Sequence, residues 1–259
     1  MDKNNIIVPA LDRGLHILEY LVYHQEGATL KEVSSHLNIP SSSAFRLLKN
    51  LAARGYVHEK NNGQLIYTPG STLLRLLNSY KPDEELFRYA KPVIKSLSAQ
   101  TGQTTQLGVL EDGFVVYKLQ SLPPTPVSII APLHTPVPIN ISASGKILAA
   151  NLSDKRLNNL VKNMSFIHKT ANSILTAEAF KEELKKVKKN QYAIDNEEYA
   201  PGIGCMAAPV FDYRGKCVAA LGITGHITDY IEPVKRKLII EETVTAAKEL
   251  SILNGQPMY

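Results

Sequence analysis

The chain has no tryptophan and only two cysteines, Cys205 and Cys217. Two cysteines build neither a disulfide framework nor a thiolate metal cluster. The seven histidines are scattered, with no H-E-x-x-H or comparable ligand spacing. No metal and no cofactor are therefore expected. No stretch approaches the roughly 20 uninterrupted apolar residues of a membrane span. The N-terminal MDKNNIIVPALDRG has no apolar core of signal-peptide length. A cytoplasmic protein without a membrane partner is expected. Neither sign of charge dominates: a net +5 permits nucleic-acid binding without arguing for it alone. What is present, 44% apolar and 20% charged residues over 259 positions, suits one large or two ordinary globular domains.

Residues 29–70 carry the densest signal. A first helix is expected over about 9–24, with Leu11, Leu15, Leu18 and Val22 as its apolar stripe. Thr29 is a good N-cap for a second helix, with Glu32 completing a capping box. Leu30, Val33 and Leu37 form its inner face, and Asn38-Ile39-Pro40 makes the turn. A third helix runs from near Ser41 to Gly55, a natural stop. At about 100° per residue its faces separate. Ala44, Leu47, Leu48 and Leu51 lie on one side. Ser42, Ser43, Arg46, Lys49 and Asn50 lie on the other. Asn61-Asn62-Gly63 between two β-prone runs predicts a hairpin. Helix, turn, helix and hairpin are the layout of a winged helix-turn-helix, which sets a helix into the DNA major groove. Arg46 and Lys49 reach guanine edges or phosphates, and Ser41, Ser42 and Ser43 suit phosphate or base edges at the helix start. Arg13 is either a phosphate contact or merely solvated.

Residues 71–83 read as a leucine-rich bridge, helical over Ser71 to Tyr80 and broken at Lys81-Pro82-Asp83. It packs either on its own domain or on a partner chain. Beyond it a helix is expected over about 84–101, with Leu86, Ala90, Val93 and Leu97 on one face and Gly102 as its stop. Thr104–Glu111 and Phe114–Ser121 read as strands around Asp112-Gly113. Pro126–Ala131 is expected as a third strand. Helices are expected at Ser142–Asn151, Asp154–Asn163 and from Thr176 to about Lys189. Strands follow at about 203–211 and 217–224, then a helix at about 230–253. This order gives an α+β domain with an antiparallel sheet. The expected division is 1–70, 71–83 and 84–259.

If Asp212-Tyr213-Arg214-Gly215 is the last hairpin turn, with Phe211 facing Lys216, then Cys205 falls opposite Gly222. Period-two alternation sets Cys205, Gly222 and Thr224 on one face and Cys217 on the other. A glycine opposite a cysteine leaves room above the sheet for a ligand or a covering side chain. Ser142-Ala143-Ser144-Gly145-Lys146 opens a helix with small residues, whose free N–H groups suit a carboxylate. Cys205 is as readily a small core residue. Asp195 can serve simply by bonding backbone N–H groups, and Glu197 and Glu198 by capping or shaping a loop. The three acids also suggest acid/base chemistry or a metal, but no positioned nucleophile, histidine partner or second ligand cluster completes either. No catalysis is expected.

The segments ALDRGLHILEYL and LNIPSSSAFRLLKNLAARGYV resemble the DNA-binding domain of the IclR family of bacterial transcriptional regulators. INISASGKILAA and QYAIDNEEYAPGIGCMAAPVFDYRGKCVAALGITG resemble that family's second half, so the resemblance runs over about 9–250. It implies a winged helix, a linker helix and a GAF-like effector domain, in dimers or dimers of dimers on palindromic operators. It implies small organic acids as effectors, at positions matching Ala143, Ser144, Asp195, Cys205, Gly222 and Thr224. Members that bind the smallest keto acids tend to carry a hydroxyl where this chain has Gly222. That departure implies a somewhat larger ligand, such as a sugar acid or a hydroxylated or aromatic acid. Repression is the family's commoner mode. The expected function is an effector-gated regulator of a catabolic operon. Its rivals are a constitutive DNA-binding protein whose second domain only oligomerises, and an enzyme with a DNA-binding appendage.

Overall fold

In the computed structural model, which describes residues 8–24, 26–61, 63–79, 82–125 and 128–257, the chain divides into two units, Met1–Lys81 and Pro82–Tyr259. Residues 1–7, Asn62, Tyr80, Lys81, Pro126 and Val127, which figure in the expectations above, lie outside the described residues.

The first helix, α1 (Pro9–Tyr23), opens on a proline, whose missing N–H has no partner in a first helical turn anyway. Thr29 caps α2 (Leu30–His36) through a full capping box: its Oγ1 accepts from Glu32 N at 3.2 Å, and Glu32 Oε2 accepts from Thr29 N at 2.7 Å. After a turn at Asn38 (φ 52°), α3 (Ser41–Ala53) packs on α1 and α2 through Ala44 and Leu48. The wing follows as β1 (Val57–Asn61) and β2 (Leu65–Pro69), antiparallel, with Gly63 at φ 91° in the turn. The unit's last helix, α4 (Ser71–Ser79), is tied to the C-terminal end of α3 by Thr72 Oγ1, which donates to Arg54 O at 3.0 Å. Gly70 lets the two segments touch: a Cβ there would sit 2.2 Å from Gly55 O.

One apolar face differs from expectation. The stripe Leu11, Leu15 and Val22 is exposed at 61%, 51% and 46%, and Leu18 is half-buried. The buried face is Gly14, Ile17 and Leu21, closed by Val33, Ala44, Leu48 and Tyr67. α1 carries apolar residues on two adjacent stripes, and a helix on the edge of a small bundle buries only one.

The second unit is a six-stranded antiparallel sheet between two helical layers. It opens with α5 (Pro82–Thr101), which stops at Gly102 (φ 65°). The hairpin β3 (Thr104–Glu111) and β4 (Phe114–Ser121) turns at Asp112-Gly113 as its sequence dictates. The expected strand at Pro126–Ala131 is absent over 128–131, which run irregularly. The strand that pairs with β4 is instead β5 (Pro136–Pro138). The alternation of prolines with apolar residues there fits an edge strand, where a missing donor is harmless. Then come α6 (Ala143–Ala150), α7 (Asp154–Asn163) and α8 (Ala177–Asn190), the last capped by Thr176. A four-residue strand that the sequence reading missed, β6 (Ala193–Asn196), leads to β7 (Ile203–Phe211) and β8 (Cys217–His226). The final helix is broken at Glu232, so α9 (Thr228–Ile231) is followed by α10 (Pro233–Leu253).

The strand order is β5-β4-β3-β8-β7-β6. On one face, Leu107, Met206, Leu221 and Ile223 pack against Leu97 of α5 and Leu250 of α10. On the other, Tyr117, Ala207 and Ala220 pack against Ile147 of α6 and Phe180 of α8.

The β7–β8 register is two residues from expectation. Cys205 pairs with Thr224, and Gly222 pairs with Ala207. The turn spans five residues, with Asp212 N donating to Lys216 O at 2.9 Å, and a bulge follows at Val210/Phe211. Each adds one residue to the offset. An even shift preserves the faces, so Cys205, Gly222 and Thr224 still share one. The bulge, however, brings Cys217 to the cluster that Cys205 also packs against, rather than to the opposite face. Both thiols are free.

Candidate DNA-reading helix and effector cavity

On α3, Arg46 and Asn50 are exposed together with Ser41 and Ser42, while Ser43 is half-buried. Ser41 Oγ lies 2.9 Å from Ser34 Oγ of α2, so this hydroxyl also ties the two helices. Lys49 is committed to the wing: its Nζ donates to Glu59 Oε2 at 2.9 Å and lies 5.7 Å from the Phe45 ring centroid. The Glu59 hydrogen bond holds the ammonium above its ordinary pKa. Arg13 is exposed near the start of α1. The result is a convex helix face with cationic, hydroxyl and amide groups at its surface and an acid of the wing beside it. The sequence reading missed Glu59; the signal was its position opposite buried Tyr67 in the hairpin, which turns it toward α3.

In the second unit a cavity of about 490 Å³, its open mouth included, lies on the α6 side of the sheet. Asp195, Cys205 and Thr224 line it. The pairing of Asp195 with Cys205 and of Cys205 with Thr224 puts the three in one row across β6, β7 and β8. Ala143, Ser144 and Gly222 do not line it. Ala143 is packed in the core, and the room expected above Gly222 is closed by Ser144: a Cβ on Gly222 would meet Ser144 Oγ at 3.0 Å. The expected reason for a larger ligand therefore falls away. Gly222 lets α6 approach the sheet.

Other wall residues were not foreseen. Gln106 and Tyr117 reach in from β3 and β4, and Ile129, Ile130 and Pro132 close one side. Ser142, the N-cap of α6, also lines the cavity; its Oγ accepts from Gly145 N at 3.3 Å and lies 3.4 Å from Tyr117 Oη. Burial pushes the Tyr117 phenol up to about 12 and the Cys205 thiol well above its ordinary value, so both stay protonated. A buried, protonated thiol is a poor nucleophile.

Asp195 is 1% exposed. Its Oδ1 accepts from Glu198 N at 2.6 Å and Tyr199 N at 3.4 Å, which is the backbone-bonding role the sequence left open. The Cys205 thiol lies beside the carboxylate as a donor, while Oδ2 and Gln106 Nε2 are buried without a hydrogen bond of ordinary geometry. Burial raises the Asp195 carboxyl above its ordinary range, against the lowering effects of the Glu198 N–H and Lys146. Behind it, Lys146 of α6 is fully buried; its Nζ donates to Ile194 O at 2.8 Å and to Glu198 Oε1 at 2.5 Å. Burial lifts Glu198 to about 7 even beside this ammonium. Glu197 holds the turn, its Oε1 accepting from Gly202 N at 2.6 Å.

Among the described residues, no group of three or more His, Cys, Asp or Glu could hold a metal, and no helix is long and apolar enough to cross a membrane.

Comparison with known proteins agrees with both halves. The helix-turn-helix domain of IclR proteins matches residues 10–60, and the C-terminal domain of the bacterial transcriptional regulator IclR matches 79–252. The chain is 30% identical to the HTH-type transcriptional regulator BhcR of Paracoccus denitrificans, over 94% of this chain and 86% of that one. It is 26% identical to the transcriptional repressor IclR of Escherichia coli, over 96% and 90% of the two chains. The crystal structure of the repressor BlcR of Agobacterium tumefaciens superposes with a TM-score of 0.71 at 25% identity, covering 96% of this chain and 97% of that one. With a winged helix in the first unit, an antiparallel sheet in the second and both family domains matched, the chain belongs to the IclR family of bacterial transcriptional regulators.

Proposed function

We propose that this regulator represses a catabolic operon and is released by a small organic acid. The observation that carries the effector half is the cavity itself. It lies beside the N-terminus of α6 and is lined by Asp195 and Gln106, each with a buried polar atom, Oδ2 and Nε2, that makes no hydrogen bond of ordinary geometry. Buried polar groups left unpaired are costly, and a ligand that satisfies them gains affinity. An oligomerisation-only domain gives no reason for such a lined space, so effector gating is the better reading.

The DNA half rests on α3. Arg46 and Asn50 face the bases, Ser42 and Ser43 sit at the helix start, and Arg13 contacts phosphate. Residues 71–83 act as a linker between the winged helix and the effector domain. The exposed Leu11, Leu15 and Val22 of α1 and Leu74 of α4 offer apolar surface to a second copy in a cytoplasmic dimer. Two reading helices then meet half-sites one or more DNA turns apart in a palindrome. The names of the relatives IclR and BlcR as repressors support the sign. The test is a thermal-shift screen of the full chain against organic and sugar acids, followed by gel shifts on the upstream intergenic DNA. A stabilising acid that weakens operator binding supports the reading. Intact DNA binding that no acid alters overturns the effector half.

A further inference from the structure

The cavity's charges do not match a bare carboxylate. No Lys, Arg or His is among its described wall residues, and the acid that lines it is Asp195. The ammonium nearest this acid, Lys146, is already engaged with Ile194 O and Glu198, with Glu183 Oε1 of α8 at 3.8 Å. The other titratable groups around Asp195 bring no positive charge. They are Cys205 across the ladder on β7, Tyr117 on β4, Tyr199 and Glu198 in the following turn, and Tyr230 on α9. One buried cation thus already faces three carboxylates. A fourth, brought by an effector and placed against Asp195, meets repulsion that no side-chain cation of the cavity wall offsets. Two carboxyl groups that share a site hold one proton between them.

We propose that an acid effector enters this cavity together with one proton, drawn from solvent and shared between its carboxylate and the Asp195 carboxyl. The O–H···O bond so formed joins the two carboxyl groups, and no bond within the effector changes. Burial of Asp195 acts in the same direction, since it raises the carboxyl above its ordinary range. The proposal rests on the effector-gated reading above. It adds that effector strength rises as pH falls.

The experiment is isothermal titration calorimetry of the full chain with pyruvate, lactate and D-gluconate, with lactamide as the neutral analogue. Each is run in buffers of different ionisation enthalpy near neutral pH. The expected result is uptake of about one proton per acid bound, with Kd weakening about tenfold per pH unit on the alkaline side. Asp195→Asn keeps an acceptor for Glu198 N and is expected to bind the same acid with uptake near zero. Glu198→Gln is expected to keep the uptake, which places the proton on Asp195. Acid binding without proton uptake overturns the proposal and leaves effector gating intact. Uptake lost in Glu198→Gln and kept in Asp195→Asn also overturns it, as does binding of lactamide with no acid. If no compound binds or alters DNA affinity, effector gating by such acids fails, and the proposal with it.

Discussion

Lys49 of α3 and Glu59 of the wing are joined by an ion pair of 2.9 Å, so one cation on the outer face of that helix is held by the chain's own carboxylate. A phosphate must displace Glu59 before Lys49 can bind it. Glu59→Gln is expected to raise affinity for specific and random DNA alike and to steepen the salt dependence by about 0.9 in log–log slope. Gel shifts across a salt series read both quantities. Unchanged slope and affinity would mean that Lys49 never leaves Glu59.

Arg46 stands on the same face without such a partner among the described residues. Arg46→Ala is expected to weaken operator binding by about 1–3 kcal/mol while leaving random-sequence binding nearly unchanged. An equal loss on both would reassign it to a phosphate.

The buried pair Lys146–Glu198 gives the second unit a pH signature. Glu198 titrates at about 7 in the folded chain and near 4.5 when unfolded. A raised folded value means that the folded state binds more protons. Its stabilising contribution is therefore complete below about 4.5 and is lost as pH rises through about 7. Glu198→Gln should flatten the pH dependence of the melting temperature across that window. Parallel profiles for the two proteins would contradict the assignment. Lys146→Met, which strands the carboxylate, should destabilise by roughly 3–5 kcal/mol, with part of the loss restored in the double variant with Glu198→Gln.

Gly222 brings α6 against the sheet. Gly222→Ala is expected to destabilise by about 1–3 kcal/mol through the crowded Ser144 hydroxyl, and Ser144→Ala to relieve much of it. Denaturant melts of the single and double variants measure the coupling. Additive losses would show that the contact is not the cause.

Local signals in the sequence were decisive where one motif sets one geometry. The Thr29/Glu32 box, Gly55, Asp112-Gly113 and Thr176 each placed a boundary that the fold keeps. The misses are of another kind. α1 has two apolar stripes, and only the tertiary context selects Ile17 and Leu21. The bulge at Val210/Phe211 shifted the register because a hairpin count cannot see an extra residue. β6 is too short to show a period. Within the cavity, Asp195, Cys205 and Thr224 were legible from motif and alternation. Gln106 and Tyr117 were not, since strand neighbours β3 and β8 are far apart in the chain.

The most direct measurement is a footprint of the full chain on its upstream intergenic DNA, titrated with and without a saturating acid that the thermal-shift screen identifies. The account predicts one protected palindrome and an affinity that falls by about 5–150-fold when the acid is bound. Superimposable titrations, with the acid shown to be bound, would contradict effector gating at its root.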